Sequence, residues 1–188
     1  MTNVLVLPGS SRSGSFSTAL ARYAADRVAE AGAGAWLWDH RQRPLPPADP
    51  EYHDRPADHP DRTVRELEHL ASRCDAFVLV TPVYHNSYSG LLKNCLDHLT
   101  MHHFRMKPVV LLGHGPRLTA VQAVDHLRTV VRGLYGLALP AQAVTTPADY
   151  GSDTEDRPRL KDPALCGRVT EAVTMLLRTA GHRAEGRS

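Results

Sequence analysis

The residues best suited to bind a charged ligand lie in a loop close to the start of the chain. Residues 4–7 form a short apolar run with the length of a buried strand, and Pro8 and Gly9 end it. Apolar residues resume at helical spacing after Thr18. The loop in between carries hydroxyl groups and a guanidinium, on Ser10, Arg12, Ser15 and Ser17. A strand, a loop and a helix in this order gather free N–H groups and a positive dipole end, which predicts a site for a single terminal phosphate.

Two features of this loop narrow the choice of ligand. It has neither the G-x-G-x-x-G spacing of dinucleotide sites nor the G-x-x-x-x-G-K-[ST] sequence of triphosphate sites. No acidic residue lies between Met1 and Tyr23, so no carboxylate in this stretch repels an anion. The alternative is a serine-rich turn in which Ser15 or Ser17 merely caps the helix. The loop alone leaves both interpretations open.

A second loop combines aromatic and hydrogen-bonding residues directly after the most apolar strand candidate, residues 76–82. Flat apolar faces and nearby hydrogen-bonding groups are the requirements of a planar heteroaromatic ring. The candidate ring-binding residues are Pro82, Val83, Tyr84, Asn86 and Ser87. The alternative is a proline turn that caps the next helix at Ser89, with Tyr84 and Tyr88 packed structurally.

The sequence GHGPRLTA gives a third candidate loop after another apolar strand. Gly113 and Gly115 permit close approach of a ligand to the backbone. His114 and Arg117 could meet an anionic or nicotinamide-bearing co-substrate. An ordinary strand-to-helix turn is the alternative that this loop leaves open.

Apolar strands alternate with amphipathic helices along the chain, which predicts an α/β fold: a doubly wound, five-stranded parallel sheet with helices on both faces. A first helix starts at Thr18. The other predicted elements are strands at residues 4–7, 35–39, 76–82, 108–115 and 137–147, and helices at residues 64–74, 89–103, 119–136 and 164–179. Ligands of such sheets bind where the carboxyl ends of the strands meet, at a switch in strand order. We therefore expect the three loops to form one composite site.

Three further segments are predicted to be irregular. Six prolines between Pro44 and Pro60 exclude a helix or a central strand, so this segment is expected to be a surface excursion that borders a site or a partner subunit. A polar loop is predicted at residues 149–159. Residues after Gly181 are expected to fray.

Composition limits the class of protein. At 188 residues and 42% hydrophobic content, residues 1–188 are predicted to form a single domain. A net charge of +2 argues against a nucleic-acid surface, and no apolar stretch reaches the roughly 18 residues that span a bilayer. The three cysteines lack C-x-x-C spacing, and the N-terminus lacks a signal-peptide pattern. A reduced cytoplasmic protein is expected.

One pair of histidines has spacing compatible with a metal site. His98 and His102 lie four residues apart in a predicted helix, near Asp97 and His103. Histidines at a helix end also interact favourably with the dipole, and no third ligand is evident. We therefore predict no metal.

Two of these motifs together resemble the NADPH-dependent FMN reductases of flavodoxin-like fold. Residues 9–17 are similar to that family's phosphate loop, which reads Gly-Ser-x-Arg-x-x-Ser. Residues 81–93 are similar to its flavin-ring loop and the helix that follows. These residues and residues 123–125 are most similar to the branch that supplies reduced flavin to sulfonate monooxygenases. The resemblance spans residues 4–144.

The resemblance implies that the chain transfers hydride from NADPH, or NADH, to FMN. The FMN phosphate would lie on Ser10, Arg12, Ser15 and Ser17, the ring against residues 82–87, and the pyrimidine end near Gly113 and Gly115. The reaction needs no catalytic acid or base from the protein. Relatives outside the branch carry Glu and Asn where this chain has Val83 and His85, so the ring contacts here would be mainly to the backbone.

The resemblance also raises questions about assembly and partners. It implies a homodimer or homotetramer, with a small-molecule electron acceptor or a flavin-dependent monooxygenase as partner. Some flavin-supplying members carry an inserted aromatic residue in the fourth helix that widens it by a turn, and His126 stands near that place. The sequence leaves open whether His126 is such an insertion, and whether FMN stays bound or leaves as a product.

Two other functions remain as alternatives. Within the enzyme class, bound FMN would pass electrons to quinones, azo dyes or metal oxyanions. A flavodoxin-like electron carrier is the alternative from another class. A net charge of +2 disfavours the carrier, because carriers that dock on basic partners use strong negative charge for steering.

Overall fold

A single parallel sheet organises the chain. The structure, a computed structural model, describes residues 1–12, 14–152 and 157–185. The sheet contains β1 (Asn3–Pro8), β2 (Gly34–Leu37), β3 (Ala76–Pro82), β4 (Pro108–His114) and β5 (Leu137–Thr145). Its strand order is β2-β1-β3-β4-β5, with every neighbouring pair parallel. The predicted α/β fold and five-stranded sheet are confirmed, and the strand order reverses between β1 and β3.

Helices cover both faces of the sheet. They are α1 (Phe16–Glu30), α2 (Arg62–Arg73), α3 (Gly90–Asp97), α4 (Met101–Phe104), α5 (Val121–Gly133) and α6 (Pro163–Glu185). Successive strand residues point to opposite faces. Val4 and Val6 therefore pack with α1 and α6, while Leu5 and Leu7 pack with α2, α3, α4 and α5. Burial on both faces explains why β1, β3 and β4 are continuous apolar runs in the sequence. Among the described residues, no helix is long and apolar enough to span a membrane.

The helix predicted at residues 89–103 is two helices. α3 ends at Asp97. Thr100 is the N-cap of α4, since its side chain accepts a hydrogen bond from His102 N, 3.3 Å away. His98 and His102 therefore do not share a helix face. His98 Nε2 donates to Pro46 O, 2.9 Å away. Within the described part of the chain, no group of three or more His, Cys, Asp or Glu residues is arranged to hold a metal ion.

The C-terminal third also differs from the prediction. The polar segment at residues 149–159 contains a short antiparallel hairpin of β6 (Tyr150–Ser152) and β7 (Pro158–Leu160), and its tip, residues 153–156, lies outside the described residues. α6 is longer than predicted and continues to Glu185, into the segment expected to fray. Residues 186–188 lie outside the described residues.

Besides His98, the amide side chain of Asn94 attaches the proline-rich segment to α3. Asn94 Nδ2 donates to Pro46 O at 2.8 Å, and Asn94 Oδ1 accepts from Ala48 N at 2.9 Å. Leu45 packs against the core on the same face of the sheet. The segment is therefore a surface excursion, as predicted, with defined hydrogen bonds to the helix beneath it. The prediction that prolines exclude any helix is wrong for two 3-10 helices, Pro50–Tyr52 and Pro56–Asp58, because each has its proline in the first position, where no N–H is needed.

Replacing Asn94 with Ala removes both hydrogen bonds and leaves Ala48 N without its acceptor. We expect Asn94→Ala to lower the free energy of unfolding by about 1–2 kcal/mol and to speed amide hydrogen exchange in residues 44–60. Gln122→Ala is the control, because Gln122 is an exposed amide on α5 that makes no side-chain hydrogen bond among the described residues. Unchanged exchange in residues 44–60 of Asn94→Ala would contradict this role.

Candidate functional site

A cavity of about 260 Å³ opens at the edge of the sheet where the strands end. The loops after β1, β3 and β4 converge on it, as predicted, and the loop after β5 joins them. Its lining residues are Ser10, Arg12, Ser15, Phe16, Ser17, Pro82, Val83, Tyr84, His114, Gly115, Pro116 and Pro147. Most of the predicted site residues are thus brought together, whereas Asn86, Ser87 and Gly113 do not line the cavity.

The first loop contributes hydroxyl groups and a guanidinium to the cavity. Ser15 is the N-cap of α1, and its side chain accepts from Thr18 N at 3.4 Å. Ser15 Oγ lies 2.8 Å from Ser17 Oγ, and Ser10 Oγ accepts from Arg12 N at 3.2 Å. The first turn of α1 contains no acidic residue. Ser15 therefore caps the helix and also lines the cavity, so the two interpretations of this loop are compatible.

Gly9 sets the path of this loop. Gly9 N donates to Val80 O at 2.7 Å, which continues the pairing of β1 with β3 past the end of β1. A Cβ at Gly9 would lie 2.6 Å from Ser89 Oγ and 3.0 Å from Pro82 Cδ. A larger residue cannot occupy this position without displacing the second loop.

The second loop is a tight turn whose backbone bonds to itself. Tyr84 N donates to Ser87 O at 2.9 Å, and Ser87 N donates to Tyr84 O at 3.0 Å. His85 and Asn86 between them have φ values of 49° and 61°. Positive φ at both central residues is the geometry of a type I′ turn. The turn holds Tyr84, which is 54% exposed, at the mouth of the cavity.

α5 supports this turn through His126. His126 Nδ1 lies 3.0 Å from Ser87 Oγ, within hydrogen-bond distance. α5 is a regular α-helix over Val121–Gly133, so His126 is an ordinary helical residue in this structure. Sequence reasoning singled out both residues without predicting that they meet.

The capping interpretation of the second loop also holds. The Ser89 side chain accepts from Leu92 N at 3.2 Å and caps α3, while Ser89 N donates to Thr81 Oγ1 at 3.0 Å. Tyr88 packs against the core, whereas Tyr84 lines the cavity. One tyrosine is therefore structural, and the other is available to a ligand.

The backbone amides beside the cavity are largely occupied. Val83 N donates to His114 O at 2.8 Å, and Gly115 N donates to Thr145 O at 3.0 Å. With Tyr84 N bonded inside its turn, these amides are not available to a ligand. The expected backbone contact of a ring at Val83 therefore cannot come from its N–H group, and the expected contact at His85 stays a prediction.

The two glycines of the third loop serve packing. A Cβ at Gly113 would lie 2.9 Å from Val124 Cγ2, and one at Gly115 would lie 2.9 Å from Ala120 Cβ. Gly113 therefore lets β4 pack closely against α5, away from the cavity. Arg117, weighed as a contact for a co-substrate, does not line the cavity.

Sequence reasoning missed an aromatic cluster on the wall of the cavity. The Phe16 ring centroid lies 4.7 Å from that of His114 and 4.8 Å from that of Tyr150. Burial lowers the pKa of His114 to about 4, so its imidazole is neutral at pH 7, and burial raises the pKa of Tyr150. Pro147 could have been found by its position after β5. Tyr150 carried no signal, because three-residue strands have no detectable period.

Comparison with known sequences assigns the chain to a family. The sequence model described as NADPH-dependent FMN reductase matches residues 2–151. The chain belongs to this family. The resemblance seen in the first two loops is therefore confirmed, together with the flavoenzyme class and the cofactors FMN and NADPH that it implied.

Curated relatives and solved structures agree with this assignment. FMN-dependent NADPH-azoreductases of Staphylococcus aureus, among them those of strains COL and N315, are 35% identical over 158 residues, 84% of this chain and 84% of theirs. An NADH:FMN oxidoreductase in its apo form superposes with a TM-score of 0.71 at 22% identity, over 94% of this chain and 88% of that one. FerB from Paracoccus denitrificans, a flavoenzyme NAD(P)H:(acceptor) oxidoreductase, superposes with a TM-score of 0.70 at 20% identity, over 95% and 99%. At these identities the structures support the fold.

The requirement for glycine at position 9 can be tested by substitution. We expect Gly9→Ala to lower the free energy of unfolding by about 1–3 kcal/mol, because the new methyl group overlaps Ser89 Oγ and Pro82 Cδ. Gly90→Ala is the matched control, since a Cβ at Gly90 meets no atom within 4 Å. Equal unfolding midpoints in urea for the two variants would contradict the packing described here.

Proposed function

We propose that this protein is an NADPH-dependent FMN reductase that binds FMN in the cavity at the carboxyl ends of its strands. The observation that carries the proposal is the convergence there of a serine- and arginine-bearing loop with an apolar, proline-walled pocket. Family membership supports FMN and NADPH as the two cofactors. The site residues themselves are proposed from this geometry.

The first loop fits a terminal phosphate. Ser10, Ser15 and Ser17 are hydroxyl donors at the start of α1, whose first N–H groups have no acceptor within the helix. Arg12 adds a full charge in a planar fork, suited to the oxygens of a phosphate dianion. Charge, donors and helix dipole all favour the same anion.

The other end of the cavity fits a flat ring. Pro82, Val83, Pro116 and Pro147 form apolar walls, and Tyr84 lies at the mouth. These side chains exclude water and orient a planar ligand without carrying charge. None of the lining residues that the structure describes is acidic, so none of them offers a carboxylate as acid or base to the reacting atoms.

The lining of the cavity indicates what the protein and the cofactor each contribute to the reaction. FMN, when bound, supplies the chemistry by accepting a hydride and passing the electrons onward. The chain contributes binding, orientation and desolvation, with Arg12 and the serines holding one end and the proline walls the other. A single domain assembled as a homodimer or homotetramer remains part of the proposal, carried by the family resemblance.

A second candidate concerns the electron acceptor. The Staphylococcus aureus relatives are FMN-dependent NADPH-azoreductases, which favours an azo compound as acceptor from protein-bound FMN. The alternative is release of reduced flavin to a monooxygenase. Both begin with the same proposed reduction of FMN by NADPH.

The role of Arg12 in FMN affinity is testable. We expect Arg12→Ala to weaken FMN binding by about tenfold or more, because a charge-assisted phosphate contact is lost, and Arg12→Lys to weaken it less. Arg22→Ala is the control, since Arg22 is an exposed arginine further along α1 that does not line this cavity. Quenching of flavin fluorescence measures the dissociation constants. Unchanged affinity in Arg12→Ala would remove the phosphate assignment.

The acceptor can be identified by competition. With protein-bound FMN and NADPH held constant, we expect an azo dye to raise the rate of NADPH oxidation more than an equal concentration of free FMN does. The reason is that bound flavin then remains a prosthetic group and passes electrons at the site. A rate of NADPH oxidation that saturates with free FMN and does not change when the azo dye is added would favour the flavin-supplying alternative.

A further inference from the structure

A buried hydroxyl behind the cavity determines which nitrogen of His114 carries a proton. Thr145 Oγ1, fully buried, lies 3.1 Å from His114 Nδ1, 2.9 Å from Tyr150 Oη and 3.3 Å from Gly113 O. A carbonyl only accepts hydrogen bonds, so the contact with Gly113 O uses the single proton of Thr145. Both remaining contacts are then satisfied only if Tyr150 and His114 donate to Thr145. This is the one proton arrangement that satisfies all three contacts.

The consequence is a free lone pair on the other ring nitrogen. With the proton on Nδ1, His114 Nε2 is an acceptor, and it has no hydrogen-bond partner among the described residues. The imidazole lines the cavity, so this acceptor is available to a ligand. The lowered pKa of His114, about 4, agrees with a neutral ring at pH 7.

The place of His114 indicates what donates to it. Its backbone oxygen accepts from Val83 N of the ring loop, and its side chain packs against Phe16, the first residue of α1 after the phosphate loop. His114 therefore contacts both the ring loop and the residue that follows the phosphate loop. In FMN, the segment between phosphate and ring is the ribityl chain, whose hydroxyl groups are hydrogen-bond donors.

We propose that His114 positions the flavin by accepting a hydrogen bond, through its unprotonated Nε2, from a hydroxyl group of the ribityl chain. The proposal rests on the FMN site described above and adds a contact that the loop motifs did not indicate. A neutral acceptor at this place recognises the polyol specifically, because it offers no attraction to the phosphate itself.

The binding test compares two flavins that differ only in these hydroxyl groups. His114→Phe keeps an aromatic ring beside Phe16 and removes the nitrogen. We expect this variant to bind FMN about five- to tenfold more weakly than the original protein does. We expect unchanged binding of an isoalloxazine that carries an unhydroxylated phosphopentyl chain. His114→Gln, which retains an acceptor oxygen, should recover part of the FMN affinity.

The outcomes separate this inference from the proposed function. Equal weakening of both flavins in His114→Phe, or weakening of neither, would overturn the hydrogen bond to the ribityl chain and leave the FMN site standing. If the original protein binds neither flavin, the FMN site itself is wrong, and the inference fails with it.

The proton arrangement can be measured without any flavin. In the ligand-free protein, ¹⁵N-resolved NMR of the histidine rings should show His114 protonated on Nδ1 and unprotonated on Nε2. Thr145→Ser should preserve this state, and Thr145→Val should abolish the preference by removing the acceptor. A proton on Nε2 in the original protein would overturn the inference.

Discussion

The hydrogen bond from Gly9 N to Val80 O is the constraint on which the site depends. It extends the β1–β3 ladder beyond Pro8, the last residue of β1, and so fixes where the first loop leaves the sheet. The same place is crowded by Pro82 and Ser89, which allow no Cβ at Gly9. The serine-rich loop and the tyrosine-bearing loop are therefore held side by side by the backbone, before any ligand contributes.

The two buried faces of the sheet explain why polar groups collect at this edge. Val6 and Leu7 are adjacent in β1, yet they lie in different hydrophobic clusters, so neither face of this strand is free to carry a polar site. Ligand-binding hydroxyls and charged groups therefore lie where the central strands end. The end of β5 also contributes to this site: Thr145 is the last residue of the strand, and Pro147, two residues further on, lines the cavity.

Much of this arrangement could be predicted, because its signals are local in sequence. Buried strands are short apolar runs, and loops rich in glycine, serine and proline mark their ends. The break after Asp97 was missed because Leu96 and Leu99 continue the apolar spacing, while Thr100 caps a new helix. A capping hydroxyl does not interrupt the spacing of the apolar residues around it, so the periodicity of those residues does not detect it.

Contacts between distant segments could not be predicted. Phe16, His114 and Tyr150 meet only because α1, β4 and the β6–β7 hairpin converge at one edge of the sheet. The occupied amides of Val83 and Gly115 are likewise a product of tertiary structure. The sequence predicted backbone ring contacts at Val83 and His85, and the fold uses the Val83 amide internally; it offered His114 only as a contact for a co-substrate.

The loops contribute groups of different polarity to the cavity. The first loop supplies a guanidinium and hydroxyls, β4 supplies an uncharged imidazole, and the loops after β3, β4 and β5 supply proline and valine walls. Burial keeps His114 uncharged, because its protonated form would lose its hydration; this loss outweighs the attraction of Asp149, and the positive charge of Arg12 acts in the same direction as burial. A second cation at His114 would also attract the phosphate and draw it away from the helix N-terminus. The ligand would then no longer bind in one defined position. Because the charge lies on the first loop only, a ligand that joins a phosphate to a polyol and a flat ring can bind in a single direction. That order of groups is the order found in FMN.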